Sequence, residues 1–286
     1  MENLTSILVA VEDATSGIPV LNKAVRLARR FGAHVDLLMA DASQASLFAA
    51  HCVALRADDV ASCSVPGDGG PLHEMILARV SSHAPDLVIK PPSGIHPLRR
   101  WALDANDWQL SRDCPVPVML AGPKSWAGTV RFAAAVDVSD PDAVGFARSI
   151  LHTAGFLSLG CRGHLDVLYC EREQKDETVR MERAVKLAQL VREFHVGSER
   201  LQLFNGTPEE RLMPLIAARG YDVVVLGAMS HRSGFANPFE SLSSRLVDAS
   251  DSDVVLVKPL LAAAAVARLQ GGSRGEQRSY QREELV

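Results

Sequence analysis

The chain has 286 residues, of which 47% are hydrophobic and 22% charged, with a formal net charge of −4 and a pI near 6.1. These totals are typical of a globular protein long enough for two domains, and they argue against nucleic-acid binding, which usually requires a basic face. The most apolar segment, residues 259–269, is too short to span a bilayer, so we expect no membrane partner.

The five cysteines include no CxxC pair, and no signal peptide precedes the first apolar segment. These features predict reduced thiols in a cytoplasmic protein. Cys161 and His164 could form half of a metal site, but no second pair has matching spacing. We therefore expect buried thiols and no metal.

In chain order, apolar runs alternate with helical patterns through the first 120 residues. The run TSILVAV at 5–11 is typical of a strand buried on both faces. Further strands are predicted at 35–39, 59–65, 86–90 and 116–120, and helices from near Pro19 to Phe31, at 47–55 and at 72–82. Such alternation predicts a mostly parallel sheet covered on both faces.

The same pattern begins again after a linker predicted at residues 123–128. Strands are predicted at 129–136, 164–169, 199–204, 222–226 and 254–258. Helices are predicted at 140–154, at 176–194 and from a capping box at Thr207–Glu210. In the long helix, the apolar face is predicted to comprise Met181, Val185, Ala188 and Val191.

The two halves align with each other. Asp86 corresponds to Asp222 and Cys114 to Ser250, at one offset on both sides of the loop after the fourth strand. This predicts internal duplication into two Rossmann-like α/β domains, each with a five-stranded parallel sheet of order 3-2-1-4-5. The predicted domains cover residues 1–122 and 129–260, and a disordered tail is expected over 261–286.

The stretch Asp222–Lys258 is the best candidate for a functional site. A valine-rich run stops at Gly227, a polar loop follows, and a short helical pattern begins near Ser241. A small residue between a strand and a helix N-terminus is how α/β sheets build anion and nucleotide sites.

With this order of residues the chain resembles the universal stress protein family, which implies an adenine nucleotide alpha hydrolase-like fold. Nucleotide-binding members follow the fourth strand with glycine, two residues, glycine, nine residues, then glycine and serine or threonine. Here Gly227 and Ser241 match the outer positions, whereas Ser230 and Glu240 replace two glycines. The Glu240 carboxylate would repel a triphosphate.

The corresponding loop of the first half departs further from this pattern. Pro91 removes an N–H donor at the first glycine position, Gly94 keeps the second, and Asp104–Ala105 replaces the last pair. Neither half retains a complete phosphate cradle. We therefore expect no ATP or AMP cofactor bound in the way usual for the family.

A longer motif narrows the resemblance. The first half looks like universal stress protein E, the tandem-domain branch of the family. The residues that carry this resemblance are Lys90, Asp107-Trp-Gln-Leu110 and Cys114-Pro-Val-Pro117. This resemblance implies a bacterial, non-enzymatic stress-response protein whose ligand is not simply ATP. Lys90 could meet an anion, but we expect it to pair with Asp104 or Asp107.

We predict the ligand site in the second half, formed by Val136, Asp137, Gly227, Met229, Ser230, His231, Arg232, Ser241 and Leu242. Asp137 matches an aspartate that the family's nucleotide-binding members place beside the ligand, and Glu12 differs from it by one methylene. Each of the two could instead cap the following helix.

Two alternatives stay open. The chain could be an ATP or AMP switch with slow hydrolysis, or an interaction scaffold with no small-molecule site.

The fifth strands of the two halves, predicted at 116–120 and 254–258, would end their sheets with bare edges. Since family dimers pair these strands, we predict an intramolecular pseudo-dimer, and the sequence leaves open a further homodimer.

Overall fold

The computed structural model describes residues 3–40, 62–66, 70–96, 99–102, 105–139, 141–171, 176–228 and 251–259. Three predicted features lie outside these ranges: the helix at 47–55, most of the loop and helix after Ala228, and the tail at 261–286.

The N-terminal half contains β1 (Ser6–Val11), α1 (Ala14–Phe31), β2 (His34–Met39), β3 (Ser62–Pro66), α2 (Leu72–His83), β4 (Leu87–Lys90), β5 (Gly94–His96), β6 (Arg99–Ala102), α3 (Ala105–Asp113) and β7 (Val118–Leu120). The C-terminal half contains β8 (Arg131–Val136), α4 (Pro141–Gly160), β9 (His164–Glu171), α5 (Glu177–Glu193), a 3-10 turn (Ser198–Arg200), β10 (Leu201–Asn205), α6 (Pro208–Arg219), β11 (Val223–Gly227) and β12 (Asp253–Val257). None of the helices within the described ranges combines the length and hydropathy needed to span a bilayer.

The described strands form one ten-stranded sheet of order β10-β9-β8-β11-β12-β7-β4-β1-β2-β3, and β5 pairs separately with β6. The apolar runs are buried on both faces because alternate residues enter opposite core layers. In β1, for example, Ile7, Val9 and Val11 pack on one side and Leu8 and Ala10 on the other. The predicted α/β fold with a mainly parallel sheet is confirmed.

Strand direction reverses at one place in this sheet. Strand β7 is parallel to β4, and β12 is parallel to β11, but β7 and β12 pair antiparallel with each other. The join consists of Val118 opposite Leu256, Met119 opposite Val255 and Leu120 opposite Val254. The two halves therefore share one continuous sheet.

A buried polar cluster lies beside this join. The Lys23 ammonium donates to Asp253 Oδ1 at 2.7 Å and to the Gly122 carbonyl at 2.7 Å. Asp253 also accepts from the Gly122 N–H at 2.8 Å and from the Trp126 indole N–H at 2.7 Å. Burial raises the pKa of Asp253 to about 6, while these donors act to lower it. The cluster ties α1 and the segment between the halves to the start of β12.

The first helix begins earlier than the sequence pattern indicates. It starts at Ala14, so Pro19 lies inside the helix and not at its first turn. The cause is Asp13, whose side chain accepts from the Ser16 N–H at 3.0 Å and the Ser16 hydroxyl at 2.8 Å. This is N-cap geometry.

The predicted apolar face of the long helix α5 is wrong in three of its four members. Met181 and Val185 are 62% and 49% exposed, and Ala188 is exposed as well. The buried positions are Leu187, Leu190 and Val191. The larger leucines bury more apolar area than Val185 or Ala188 would, and they therefore determine which face meets the sheet.

Two further differences concern helix ends. Pro208 begins α6 as predicted, but the N-cap Thr207 makes no side-chain hydrogen bond, so the expected capping box is not formed there. Helix α4 continues to Gly160 instead of ending near Ala154, since its last turns pack Leu157 into the core.

Candidate functional site

Three residues of the predicted second-half site lie in the described ranges. Val136 ends β8 and Gly227 ends β11, each two residues beyond the paired Ala134 and Val225, and Asp137 follows Val136. The structure therefore brings these three residues to adjacent strand ends. In parallel sheets, crevices outside such carboxyl ends are where ligands bind.

The other predicted members of this site, Met229, Ser230, His231, Arg232, Ser241 and Leu242, lie outside the described residues. The same holds for Glu240. The composition of the site in the second half stays a prediction.

Asp137 is half-buried and makes a local turn. Its Oδ1 accepts from the Ser139 N–H at 2.8 Å, just before α4 begins. Such side-chain bonds to a backbone N–H two residues on are typical of aspartate in turns. In the first half, Asp13 and not Glu12 caps the following helix.

Gly227 has a packing partner that the sequence did not indicate. A Cβ atom placed at this position would lie 2.9 Å from Cδ1 of Phe146, a residue of α4. The ring therefore packs against the end of β11, where any side chain would collide with it. This contact explains the glycine without any phosphate group.

A cluster of three polar side chains at the end of β9 was not foreseen. Tyr169 donates to Glu171 Oε2 at 2.7 Å, and Arg183 from α5 pairs with Glu171 Oε1 at 2.9 Å. Burial first, and then the Glu171 carboxylate, raise the pKa of Tyr169. The hydrogen bond to Glu171 also raises the pKa of Arg183. The Arg183 guanidinium balances the charge of the Glu171 carboxylate. The cluster therefore links α5 to the end of β9.

The described part of the first half contains a cavity of about 280 Å³ at the carboxyl ends of its central strands. Its walls come from the ends of β1, β2 and β4, the N-terminus of α2 and one face of α3. The lining residues are Glu12, Ala40, Gly70, Pro71, Leu72, His73, Lys90, Ser93, Asn106 and Leu110. We call it the first-half crevice.

A buried ion pair forms the floor of the first-half crevice. Lys90 is 3% exposed and forms a hydrogen-bonded ion pair with Asp107, as predicted for one of two aspartates. Lys90 Nζ also donates to Ser93 Oγ at 2.7 Å, and the Ser93 N–H donates to Asp107 Oδ2 at 2.9 Å. The expected ion pair of Lys90 is therefore present, and its partner is Asp107.

His73 lines the same crevice and was missed by the sequence analysis. The residue is 8% exposed, and its Nδ1 has no hydrogen-bond partner within the described structure. A lone histidine in a helix gives no periodic or spacing signal, so only the fold places it here.

Three cysteines with described side chains, Cys114, Cys161 and Cys170, are buried and form no disulfide. Burial raises the pKa values of Cys114 and Cys161 to about 11. His164 is exposed while Cys161 is buried, and within the described ranges no three His, Cys, Asp or Glu side chains could hold a metal ion together.

No protein-family model and no curated protein sequence matches the chain. Solved structures do match. A protein assigned to the universal stress proteins, from Pseudomonas aeruginosa UCBPP-PA14, is 23% identical with a TM-score of 0.79 over 93% of this chain and 97% of that one. A protein of unknown function from Pseudomonas aeruginosa PAO1 is 24% identical with a TM-score of 0.78 over 94% of this chain and 98% of that one.

A universal stress protein from Archaeoglobus fulgidus is more distant. It is 16% identical, with a TM-score of 0.64 over 89% of this chain and 98% of that one. At these identities the likeness concerns the fold. The chain has the α/β, Rossmann-like fold of universal stress proteins along nearly its whole length.

Proposed function

We propose that the chain is a tandem-domain universal stress protein of the E-like type, a non-enzymatic binding or regulatory module of the stress response. The observation that carries this proposal is the extent of the likeness. A single neighbour assigned to the universal stress proteins covers 93% of the chain, so both halves find their counterpart in one protein. The motif from Lys90 to Pro117 adds the resemblance to the tandem branch.

Internal duplication is part of this proposal. It is supported by the order 3-2-1-4-5 in each half, which holds when only the strands of the ten-stranded sheet are numbered and β5 and β6 are left out. The aligned aspartates also make equivalent hydrogen bonds in the two halves. Asp86 accepts from the Ser6 N–H at 3.0 Å at the start of β1, and Asp222 accepts from the Arg131 N–H at 2.9 Å at the start of β8.

The proposed non-enzymatic role is supported by the candidate nucleophiles among the described residues. Ser93 lies beside Lys90, whose ammonium is already paired with Asp107. The buried thiols at Cys114 and Cys161 hold their protons at neutral pH.

We place the module's ligand in the second half. Asp137 and Gly227 lie at adjacent strand ends there, and the loop that follows keeps a serine at 241. Because Glu240 and Ser230 replace two phosphate-contacting glycines, we propose a ligand other than ATP.

Native mass spectrometry of the purified full chain tests this function. We expect wild-type protein to retain a small molecule and Asp137→Ala to lose it. Asp113→Ala serves as the matched control, since its ion pair with Arg112 is exposed and contributes little. Full retention by Asp137→Ala would contradict the proposed location.

The same measurement separates the alternatives. Added ATP should bind only after Ser230→Gly and Glu240→Gly are combined. Equal ATP binding by the wild-type chain would favour the nucleotide switch, and no retained ligand in any variant would favour the scaffold.

A further inference from the structure

The helix α5 presents an apolar surface to solvent. Met181, Ala184, Val185 and Ala188 follow the i, i+3, i+4, i+7 spacing of one helix face, and all four are exposed. Met181 and Val185 leave 62% and 49% of their area exposed. We call these four residues the outer stripe. Since α5 already buries another apolar face in the core, a second one indicates a surface that meets a partner.

The outer stripe looks away from the core of the second half. On a different flank of α5, Glu193 pairs with Arg148 of α4, and the Phe194 ring lies edge-on to His152 of the same helix. In the sheet, β9 separates β8 from β10, which is the last described strand on this side. Because α4 lies on the inner side of α5, the outer stripe faces the edge formed by β10.

Strand β10 continues this exposed surface. Its five residues contain no lysine, proline or bulge, which are the usual protections of an open edge. Leu201 packs against the core cluster that holds the buried residues of α5, and side chains alternate along a strand. Leu203, which is 62% exposed, therefore emerges on the face of the sheet that carries α5.

The charges that flank the outer stripe fit a second copy of the same helix. Glu177 lies one turn before the stripe and Arg192 one turn after it, and both are exposed. Neither side chain forms an ion pair within the described ranges. When two copies of α5 pack antiparallel about the midpoint of the stripe, Ala184 meets Val185 of the other copy. Each Glu177 then lies opposite an Arg192, whereas parallel packing would place like charges together.

We propose that the chain forms a two-fold symmetric homodimer in which α5 packs antiparallel against α5 of a second copy, beside the two β10 edges. This inference goes beyond the proposed function and depends on no bound ligand. It also leaves the β7–β12 pairing inside each chain.

The size of the contact sets its strength. Helix α5 has 17 residues and is roughly 25 Å long, so the helix pair buries less than a standard interface of about 1,600 Å². We therefore expect a reversible dimer with a Kd on the order of micromolar or weaker.

Sedimentation velocity of the full chain over a range of protein concentrations tests this inference. Wild-type protein should shift from its monomer mass of 30.8 kDa toward twice that mass as the concentration rises. Ala184→Lys should weaken dimerisation at least about tenfold, because it places like charges at the centre of the contact. Ala218→Lys is the matched control and should dimerise as wild type. It makes the same change at an exposed position of α6, which packs on the opposite face of the sheet.

Charge reversal tests the antiparallel orientation. Glu177→Lys alone and Arg192→Glu alone should each weaken the homodimer at least about threefold, because each places like charges opposite one another. An equimolar mixture of the two variants should regain dimerisation, since one variant then presents two cations and the other two carboxylates. Far-UV circular dichroism of each variant verifies that the chain has stayed folded.

Three outcomes would overturn the inference. The first is a wild-type chain that stays monomeric at every concentration, which would leave the outer stripe to a different partner. The second is a dimer that Ala184→Lys leaves intact, which would place the contact on another surface. The third is a mixture of the two charge variants that dimerises no better than either variant alone.

Discussion

At the scale of single residues, Gly227 illustrates how one position supports two interpretations. Its place after a strand matches the first glycine of a phosphate loop, while the ring of Phe146 occupies the space a side chain would need. The packing contact is present whether or not a ligand binds. Glycine here is explained by the core before any ligand is invoked.

This contact leads to a stability prediction. Gly227→Ala should cost about 1–3 kcal/mol, because Phe146 must shift away from the new methyl group. Phe146→Leu should absorb most of that cost, so a double-mutant cycle by urea unfolding should give a coupling above about 0.5 kcal/mol. Additive effects would show that the ring does not restrict this position.

Buried thiols make a second prediction, which concerns alkaline pH. Burial raises the pKa values of Cys114 and Cys161 to about 11 from a reference of 9.0. Above pH 9 the unfolded chain releases these protons first, so stability falls as the pH rises from 9 to 11. The loss should be on the order of 2 kcal/mol per thiol by pH 11.

Replacing both thiols should remove most of this alkaline loss. We expect Cys114→Ala with Cys161→Ala to show a flatter dependence of the unfolding free energy on pH between 9 and 11. Ser158→Ala is the control variant, because it removes a buried hydroxyl that does not titrate in this range, and it should keep the wild-type slope. An unchanged slope in the double variant would assign the loss to other groups.

At the scale of elements, strands were the most predictable part of the molecule. Continuous apolar runs such as Ser6–Val11 and Val223–Gly227 lie within one or two residues of their predicted bounds. Because runs of this kind are buried on both faces, predicting them requires no choice between an inner and an outer face. By contrast, β5, β6 and α3 contain no long apolar run and were not predicted.

The helix α5 shows why a helical face is harder to predict. Its sequence carries two apolar stripes, one through Met181 and Val185 and one through Leu187 and Leu190. Periodicity alone cannot choose between them, because both fit a period of 3.6 residues. The choice depends on which stripe the rest of the core can accommodate, which is a property of the assembled fold.

These two stripes should respond differently to substitution. Met181→Lys should change the unfolding free energy by less than about 0.5 kcal/mol, since the side chain is exposed. Leu187→Ala should cost about 2–5 kcal/mol through the cavity it leaves in the core. Chemical denaturation measures both, and equal costs would contradict the observed orientation of α5.

The candidate sites were predictable only in part, because some of their residues come together only in the assembled fold. The loop signature around Gly227 is local and could be found in the sequence. The first-half crevice is assembled from five separate segments of the chain. They contribute Glu12, Ala40, His73, Lys90 and Asn106. No spacing rule connects them until the sheet order is known.

At the scale of the whole molecule, the halves are held together by more than the β7–β12 pairing. Lys23 and Asp253 are separated by 230 positions in sequence, yet they form a buried ion pair across the join. Removing one partner of such a pair leaves a buried charge uncompensated. We therefore expect the association of the two halves to depend strongly on this ion pair.

We therefore predict that Lys23→Met costs about 3–5 kcal/mol. Adding Asp253→Asn should recover at least half of this loss, because the amide is uncharged and its carbonyl oxygen still accepts from one of the two donors, Gly122 or Trp126. Tryptophan fluorescence reports on the first half and on this cluster, since Trp101, Trp108 and Trp126 lie there, and far-UV circular dichroism reports on both halves. Unfolding of the wild-type chain should show one transition by both measures, and two separated transitions would contradict a shared core.

The reversal of strand direction at β7 and β12 has a consequence for where molecules can approach. Parallel strands end together, so the strands of the first half end at one rim of the sheet and those of the second half end at the opposite rim. The first-half crevice and the Asp137–Gly227 edge therefore face away from each other. A partner protein that covers one rim would therefore leave the other open to solvent.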